Sequence, residues 1–238
     1  MNRDIGALRE TELHGLLKAV YAGRGGRTEV EVDGFVIDAV TADGERVEVQ
    51  LGSFAPLRKK AKSLAGRGGL VVVRPIIVVK TLEFLDADGA WLSRKRSNHA
   101  GSAWDVFRGL VYAPELPLVP GLEVELALVD VEETRVRDGL GSWRMRGVSV
   151  RGRRLLALRE RVRLSTPADY LRFVPFARAE EFTSMDLRER AGLRASVAGK
   201  ALYVLSKLGV VERTGKRGNA HLYRLLVGPR ARKWKKPR

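Results

Sequence analysis

The sequence predicts an α/β fold: a mixed sheet flanked by helices, then a β-rich extension, then a C-terminal helix-turn-helix with a basic hairpin. Three observations predict it. Residues 28–51 alternate apolar and polar positions around an Asp-Gly turn signal, the pattern of a half-buried hairpin. The run LVVVRPIIVV at 70–79 is almost wholly apolar and suits a strand covered on both faces. Residues 54–65 read as a helix between them, so strand, helix and buried strand form a parallel, right-handed crossover.

Each element follows in order. Residues 10–22 carry Leu13, Leu16, Leu17 and Val20 as a helical stripe, and the glycine-rich stretch 23–26 ends it. Glu12 lies one turn before Leu16 and is expected at the sheet edge; His14 is expected on a solvated helix face. Strands at 35–40 and 45–51 flank a turn at 41–44. With the loop centred on Asp43, Asp38 stands opposite Glu48, and Gln50 shares the face of Glu48. An acidic pair with a polar neighbour on rigid strands suits a hard divalent cation. The alternative is a half-solvated hairpin, with Glu29, Glu31, Glu45 and Glu48 facing water and Val47 and Val49 facing the core. The helix at 54–65 carries Arg58, Lys59, Lys60 and Lys62, and glycines at 66–69 break it.

The middle of the chain carries fewer signals. SRKRSN at 93–98 reads as a basic loop. Residues 101–112 read as a helix packing Trp104, Phe107 and Val111 into the core. A strand is expected at 122–131 and two more within 143–163. There Arg144, Arg146, Arg159, Arg161 and Arg163 form an alternating ladder, either solvated or on nucleic acid. Residues 165–181 read as a linker.

Beyond the linker, Thr183 and Asp186 have capping-box spacing and open a short helix through Ala191. Gly192 turns the chain, and Arg194 or Ser196 opens a longer helix with Val197, Ala201, Leu205 and Leu208 at helical spacing. Short strands at 210–213 and 221–225 enclose TGKRGNA. The pattern LSKLGVVERTGKRGNAHLYRL resembles a winged helix-turn-helix domain. That resemblance implies that Arg194, Ser196, Lys200, Tyr203 and Lys207 meet double-stranded DNA in the major groove. Lys216, Arg217 and Asn219 at the wing tip would meet phosphate or the minor groove.

The N-terminal part, roughly 8–80, resembles the PD-(D/E)XK, or restriction-endonuclease-like, nuclease superfamily. The element order helix, three meandering strands, helix, strand carries the resemblance more than its short motif does. Asp38 falls on the family's first acid, Glu48 on the second, Gln50 where lysine is usual, and Glu12 on the extra glutamate of the first helix. The resemblance implies Mg²⁺ or Mn²⁺ on Asp38, Glu48 and the Val49 carbonyl, with Gln50 orienting water and Glu12 assisting. Glutamine orients water but supplies no charge; Lys59 or Lys60 could replace the missing cation.

Composition bounds the rest. The chain has 238 residues and a formal charge of +16, which favours a polyanionic partner. The excess is uneven: 135–163 holds ten arginines with only Asp138 and Glu160, and 213–238 holds ten lysines and arginines with no acid. There is no cysteine, so disulfides, thiolate metal sites and cysteine nucleophiles are excluded. His14, His99 and His221 are too scattered for a zinc cluster. No long apolar span or signal-peptide pattern is present, so no membrane association and a cytoplasmic, nucleoid-associated location are expected. Four segments result: a nuclease-like core at 1–112, an extension at 113–175, the winged helix at 176–228, and a basic tail at 229–238. The expected function is a metal-dependent DNA endonuclease, as a homodimer if it cuts both strands. The alternatives are a non-catalytic DNA-binding regulator on a degenerate core, and an RNA-binding structural protein.

Overall fold

Leu13, Leu17 and Tyr21 recur at helical spacing, and Glu12–Ala22 forms α1 with that stripe buried. The computed structural model describes residues 12–98, 100–140 and 147–226. After α1 come three meandering strands, β1 (Arg27–Val32), β2 (Phe35–Val40) and β3 (Arg46–Val49), then α2 (Leu57–Leu64) and β4 (Leu70–Leu85). The order helix, three strands, helix, strand is the one expected. β3 and β4 run parallel, Val47 beside Val71 and Val49 beside Val73, so α2 is the crossover.

β4 is longer than its apolar run implies. Its distal half pairs antiparallel with β5 (Trp91–Arg96), so the expected loop at 93–98 is mostly strand. β3 and β5 thus occupy one edge of β4 in succession. The other edge of β4 pairs along its length, in parallel, with β6 (Leu122–Val136). β6 pairs antiparallel with β7 (Ser149–Leu164), one strand among the described residues of 143–163, where two were expected; 143–146 lie outside the described residues. The sheet has seven strands in the order β1-β2-β3-β4-β6-β7, with β5 also on β4.

Alternation along β4 and β6 sends successive side chains to opposite faces. Val71, Val73, Val129 and Val131 pack beneath α1. Leu70, Val72, Val124 and Leu126 pack beneath α2 and α3 (Val106–Leu110). This second layer continues without a break into the C-terminal elements: α4 (Ser184–Arg190), α5 (Ala195–Lys207) and the hairpin β8 (Val211–Arg217) and β9 (Ala220–Leu225). Residues 165–181 are therefore no linker. Thr166 caps a 3-10 helix, Pro167–Phe173, and Tyr170, Phe173 and Phe176 are buried in the shared core. Phe107 and Phe173 meet edge to face, with centroids 4.9 Å apart.

The arginine ladder is also resolved by its partners. Arg144 and Arg146 lie outside the described residues, as do His99 and the basic tail. On β7, Arg159 holds Asp130 through two 2.6 Å bonds. Arg161 stacks 4.5 Å from the Tyr21 ring centroid, and Arg163 bonds Glu45, Glu123 and Glu125. Arg159 and Arg163 are thus paired with acids, while Arg161 stays 3.9 Å from Glu125. Further along, Glu133 is 1% exposed and accepts from Arg135, Arg153 and Lys80.

Burial pushes the Glu133 carboxyl up, but hydrogen bonds from Arg153 and Arg135 and the charge of Lys80 outweigh it, pulling it from 4.5 down to about 2. A depressed carboxyl stabilises the fold above its unfolded value and loses that stabilisation as pH falls through the folded one. Glu133→Gln should therefore cost about 3 kcal/mol at neutral pH in urea unfolding. The gap between wild type and variant should close as pH falls from 4.5 towards 2. A gap independent of pH would contradict this account.

Candidate functional site

β2 and β3 pair as Ala39 with Val47 and Val40 with Arg46, around a turn in which Gly44 takes φ +85 and bonds the Thr41 carbonyl. The register puts Asp38 and Glu48 next in line, as the sequence predicts. The strands part there. The Val49 amide donates to Asp38 Oδ2 at 2.8 Å in place of a ladder bond.

A third group joins from α1. His14 Nε2 lies 3.0 Å from the Val49 carbonyl oxygen and 3.3 Å from Asp38 Oδ2. The expectation of a solvated His14 is corrected, because the ring is half-buried against the end of β3. Its signal in sequence was weak: it flanks the stripe of Leu13 and Leu17 on the helix. Glu12, by contrast, is turned to β7. A Cβ added at Gly152 would lie 2.7 Å from Glu12 Oε2. The structure does not bring Glu12 to Asp38 and Glu48.

Glu48 is 8% exposed. Its carboxylate accepts a short hydrogen bond from Lys60 of α2, and Lys60 also donates to the Val36 carbonyl. Between the two cations considered on that helix, the structure places Lys60 at the acidic pair and leaves Lys59 exposed. Gln50 follows β3; its backbone amide bonds the Val73 carbonyl and its side-chain amide donates to the Ser53 carbonyl. Arg74, the one charge inside the apolar run of β4, caps this strand end. Its guanidinium donates to the carbonyls of Gln50 at 3.1 Å, Gly52 at 2.8 Å and Leu51. A lone arginine in a buried strand is a legible signal, since burial demands partners.

The two carboxyls are driven apart. At Asp38, burial raises the pKa, but hydrogen bonds from His14 and the Val49 amide and the charges of His14 and Lys60 bring it below the ordinary value. At Glu48, burial and the neighbouring Asp38 charge raise it against the pull of Lys60. Adjacent like charges in a partly dry setting produce this split. Among the described residues, no three His, Asp or Glu side chains form a ready cation cluster. The Asp38 carboxylate and the Val49 carbonyl nonetheless point at one atom, His14 Nε2.

In the C-terminal module Arg194, Ser196, Tyr203 and Lys207 are exposed and Lys200 is half-buried. Lys216, Arg217 and Asn219 are exposed on the hairpin, Arg217 approaching Asp186 at 3.4 Å. Thr183 caps α4 with the predicted box to Asp186. Among the described residues no helix is long and apolar enough to cross a membrane.

Residues 11–165 match the family described as Domain of unknown function (DUF8091), and the chain belongs to it. A protein of Treponema pallidum (strain Nichols), described as uncharacterized, is 28% identical over 221 residues. That alignment covers 92% of this chain and 87% of the relative, so it spans both the sheet and the C-terminal module. No solved structure matches.

Removing Lys60 would leave Glu48 facing Asp38 with its cation gone. Lys60→Met should lower stability by about 3 kcal/mol in urea unfolding. Lys59→Met should leave it unchanged.

Proposed function

We propose that this DUF8091 member is a metal-dependent DNA nuclease or nuclease-like DNA-processing protein, with a restriction-endonuclease-like core and a C-terminal winged helix that holds duplex DNA. One observation carries the reading: the Asp38 carboxylate and the Val49 carbonyl converge on the position that His14 Nε2 holds, and the Asp38 charge helps raise the Glu48 carboxyl on the neighbouring strand. Oxygen ligands of this kind suit Mg²⁺ or Mn²⁺, and a divalent cation relieves the repulsion that drives the two carboxyls apart.

Asp38, Glu48 and the Val49 carbonyl would hold the ion once His14 Nε2, which now fills that position, turns away. When bound, such an ion polarises a scissile phosphate and lowers the pKa of a water. Arg74 keeps the end of β3 in place by occupying the carbonyls of the following loop. Lys60 takes the part of the lysine missing at Gln50: its ammonium already lies on Glu48 and could turn to a phosphate oxygen. Gln50 would orient water after releasing the Ser53 carbonyl. Two such sites are needed to cut both strands, which favours a homodimer on duplex DNA in the cytoplasm, among nucleoid-associated proteins.

A second reading has its own support. With Lys60 on Glu48 and no ready three-residue cation cluster among the described residues, the core could serve as scaffold for a non-catalytic DNA-binding regulator. The RNA-binding reading has less support, since Arg159 and Arg163 of the ladder are held by Asp130, Glu45, Glu123 and Glu125.

Mn²⁺ should raise the melting temperature of the wild type and leave Asp38→Ala unmoved. Supercoiled plasmid with Mg²⁺ or Mn²⁺ should be nicked by the wild type and not by Glu48→Ala. Identical plasmid traces, with DNA binding intact, would leave the regulator.

A further inference from the structure

A cleft of about 1750 Å³ separates the C-terminal half of α5 and the base of the β8–β9 hairpin from segments 115–122 and 165–167. Tyr203, Ser206 and Lys207 line it from α5, and Pro117 and Pro120 line it from the 115–122 segment. We infer that this cleft is a single-stranded nucleic-acid site, in which Tyr203 stacks a base while Lys207, Arg178 and Arg213 meet the phosphates. The inference rests on the nucleic-acid half of the proposed function and is independent of the cation site.

Three observations carry it. The first is geometry. A helix read in the major groove must be straddled by a groove about 12 Å wide. At Tyr203 and Lys207 the space in front of α5 is shared with the protein's own segments 115–122 and 165–167, which compete with a duplex for it. The duplex contacts are then left to Arg194, Ser196 and the hairpin tip, which do not line the cleft.

The second is charge. Arg178, Lys207, Arg213 and Arg224 line the cleft against only Glu115 and Glu212. Glu212 is already occupied, its carboxylate 2.9 Å from Arg224. The remaining cations outnumber the remaining acid, as a phosphate track requires.

The third is Tyr203 itself. Its side chain is 47% exposed although α5 buries Val197, Ala201, Leu202 and Leu205 on its other side. Lys207 Nζ stands 5.9 Å from the ring centroid, which adds a cation beside a stacking face. An aromatic platform bordered by cations binds successive bases without reading their edges.

Fluorescence anisotropy on the full chain tests the assignment with three probes: oligo-dT, oligo-U and a blunt duplex. Wild type should bind oligo-dT, and Tyr203→Ala should weaken it about tenfold, the loss of one stacked base. Tyr203→Phe should retain binding. Duplex affinity should fall less in Tyr203→Ala than strand affinity does, and should be reduced by Lys216→Ala with Arg217→Ala. Oligo-U bound in preference to oligo-dT, with the same dependence on Tyr203, supports the site and assigns it to RNA. Equal losses for strand and duplex in Tyr203→Ala, or displacement of the strand by polyglutamate as readily as by unlabelled strand, would overturn it. Duplex binding without any strand binding sinks the cleft alone. Binding of neither probe removes the nucleic-acid half of the proposed function as well.

Discussion

Where β2 and β3 part, a buried peptide amide must find a partner other than the backbone of the facing strand. Val49 is 3% exposed, and an unmade hydrogen bond there costs about 1–3 kcal/mol. Asp38 supplies the acceptor with its side chain. The same step removes Asp38 from solvent and aims its carboxylate at the end of β3. The Val49 carbonyl takes His14 from α1, and the carbonyls of residues 50–52 take Arg74 from β4. Ending one strand therefore gathers polar groups from three elements, and the candidate site is the local solution to that accounting.

The +16 charge is not spread over the surface as composition alone suggests. Pairing across β6 and β7 sets Asp130 against Arg159 and Glu125 against Arg163, while Glu132 takes Arg94 and Arg154. Antiparallel neighbours directly opposite or on the diagonal lie within reach of such long side chains. A ladder that looks like a polyanion footprint in the sequence is a cross-strand network in the fold.

The sheet's first half was legible because its signals are local. The Asp-Gly turn sets the register of β2 and β3, and the apolar run of β4 announces burial on both faces. The helices and hairpin of the C-terminal module were legible for the same reason, with a capping box and two glycine stops. What stayed hidden depends on distant partners. β5 was read as a loop because SRKRSN is polar, and only the long β4 edge makes it a strand. His14 reads as surface until the end of β3 is brought 35 residues back against α1. Glu12, expected at the sheet edge near the acidic pair, lies instead at β7, where Gly152 has no side chain to exclude it. Residues 165–181 looked like a linker because prolines and charges conceal Tyr170, Phe173 and Phe176, which pack only once α3 and α5 are assembled.

The C-terminal module and the carboxylate pair are held in one frame by this packing. α5 lies on α3. Gly109 of α3 lies so close to the following layer that an added Cβ would come within 2.9 Å of the Gly52 carbonyl oxygen, and the Phe54 amide bonds the Gly109 carbonyl. The Gly52 carbonyl is also one of those held by Arg74. The path from α5 to the end of β3 thus runs through the close approach of Gly109 to the backbone of Gly52 and Phe54. Such continuity does not itself transmit a signal. It fixes a distance: nucleic acid gripped at α5 would stand at a set reach from Asp38 and Glu48, whereas a module on a free linker would sample many. A device that grips at one place and acts at another needs that rigidity more than it needs either site to be strong alone.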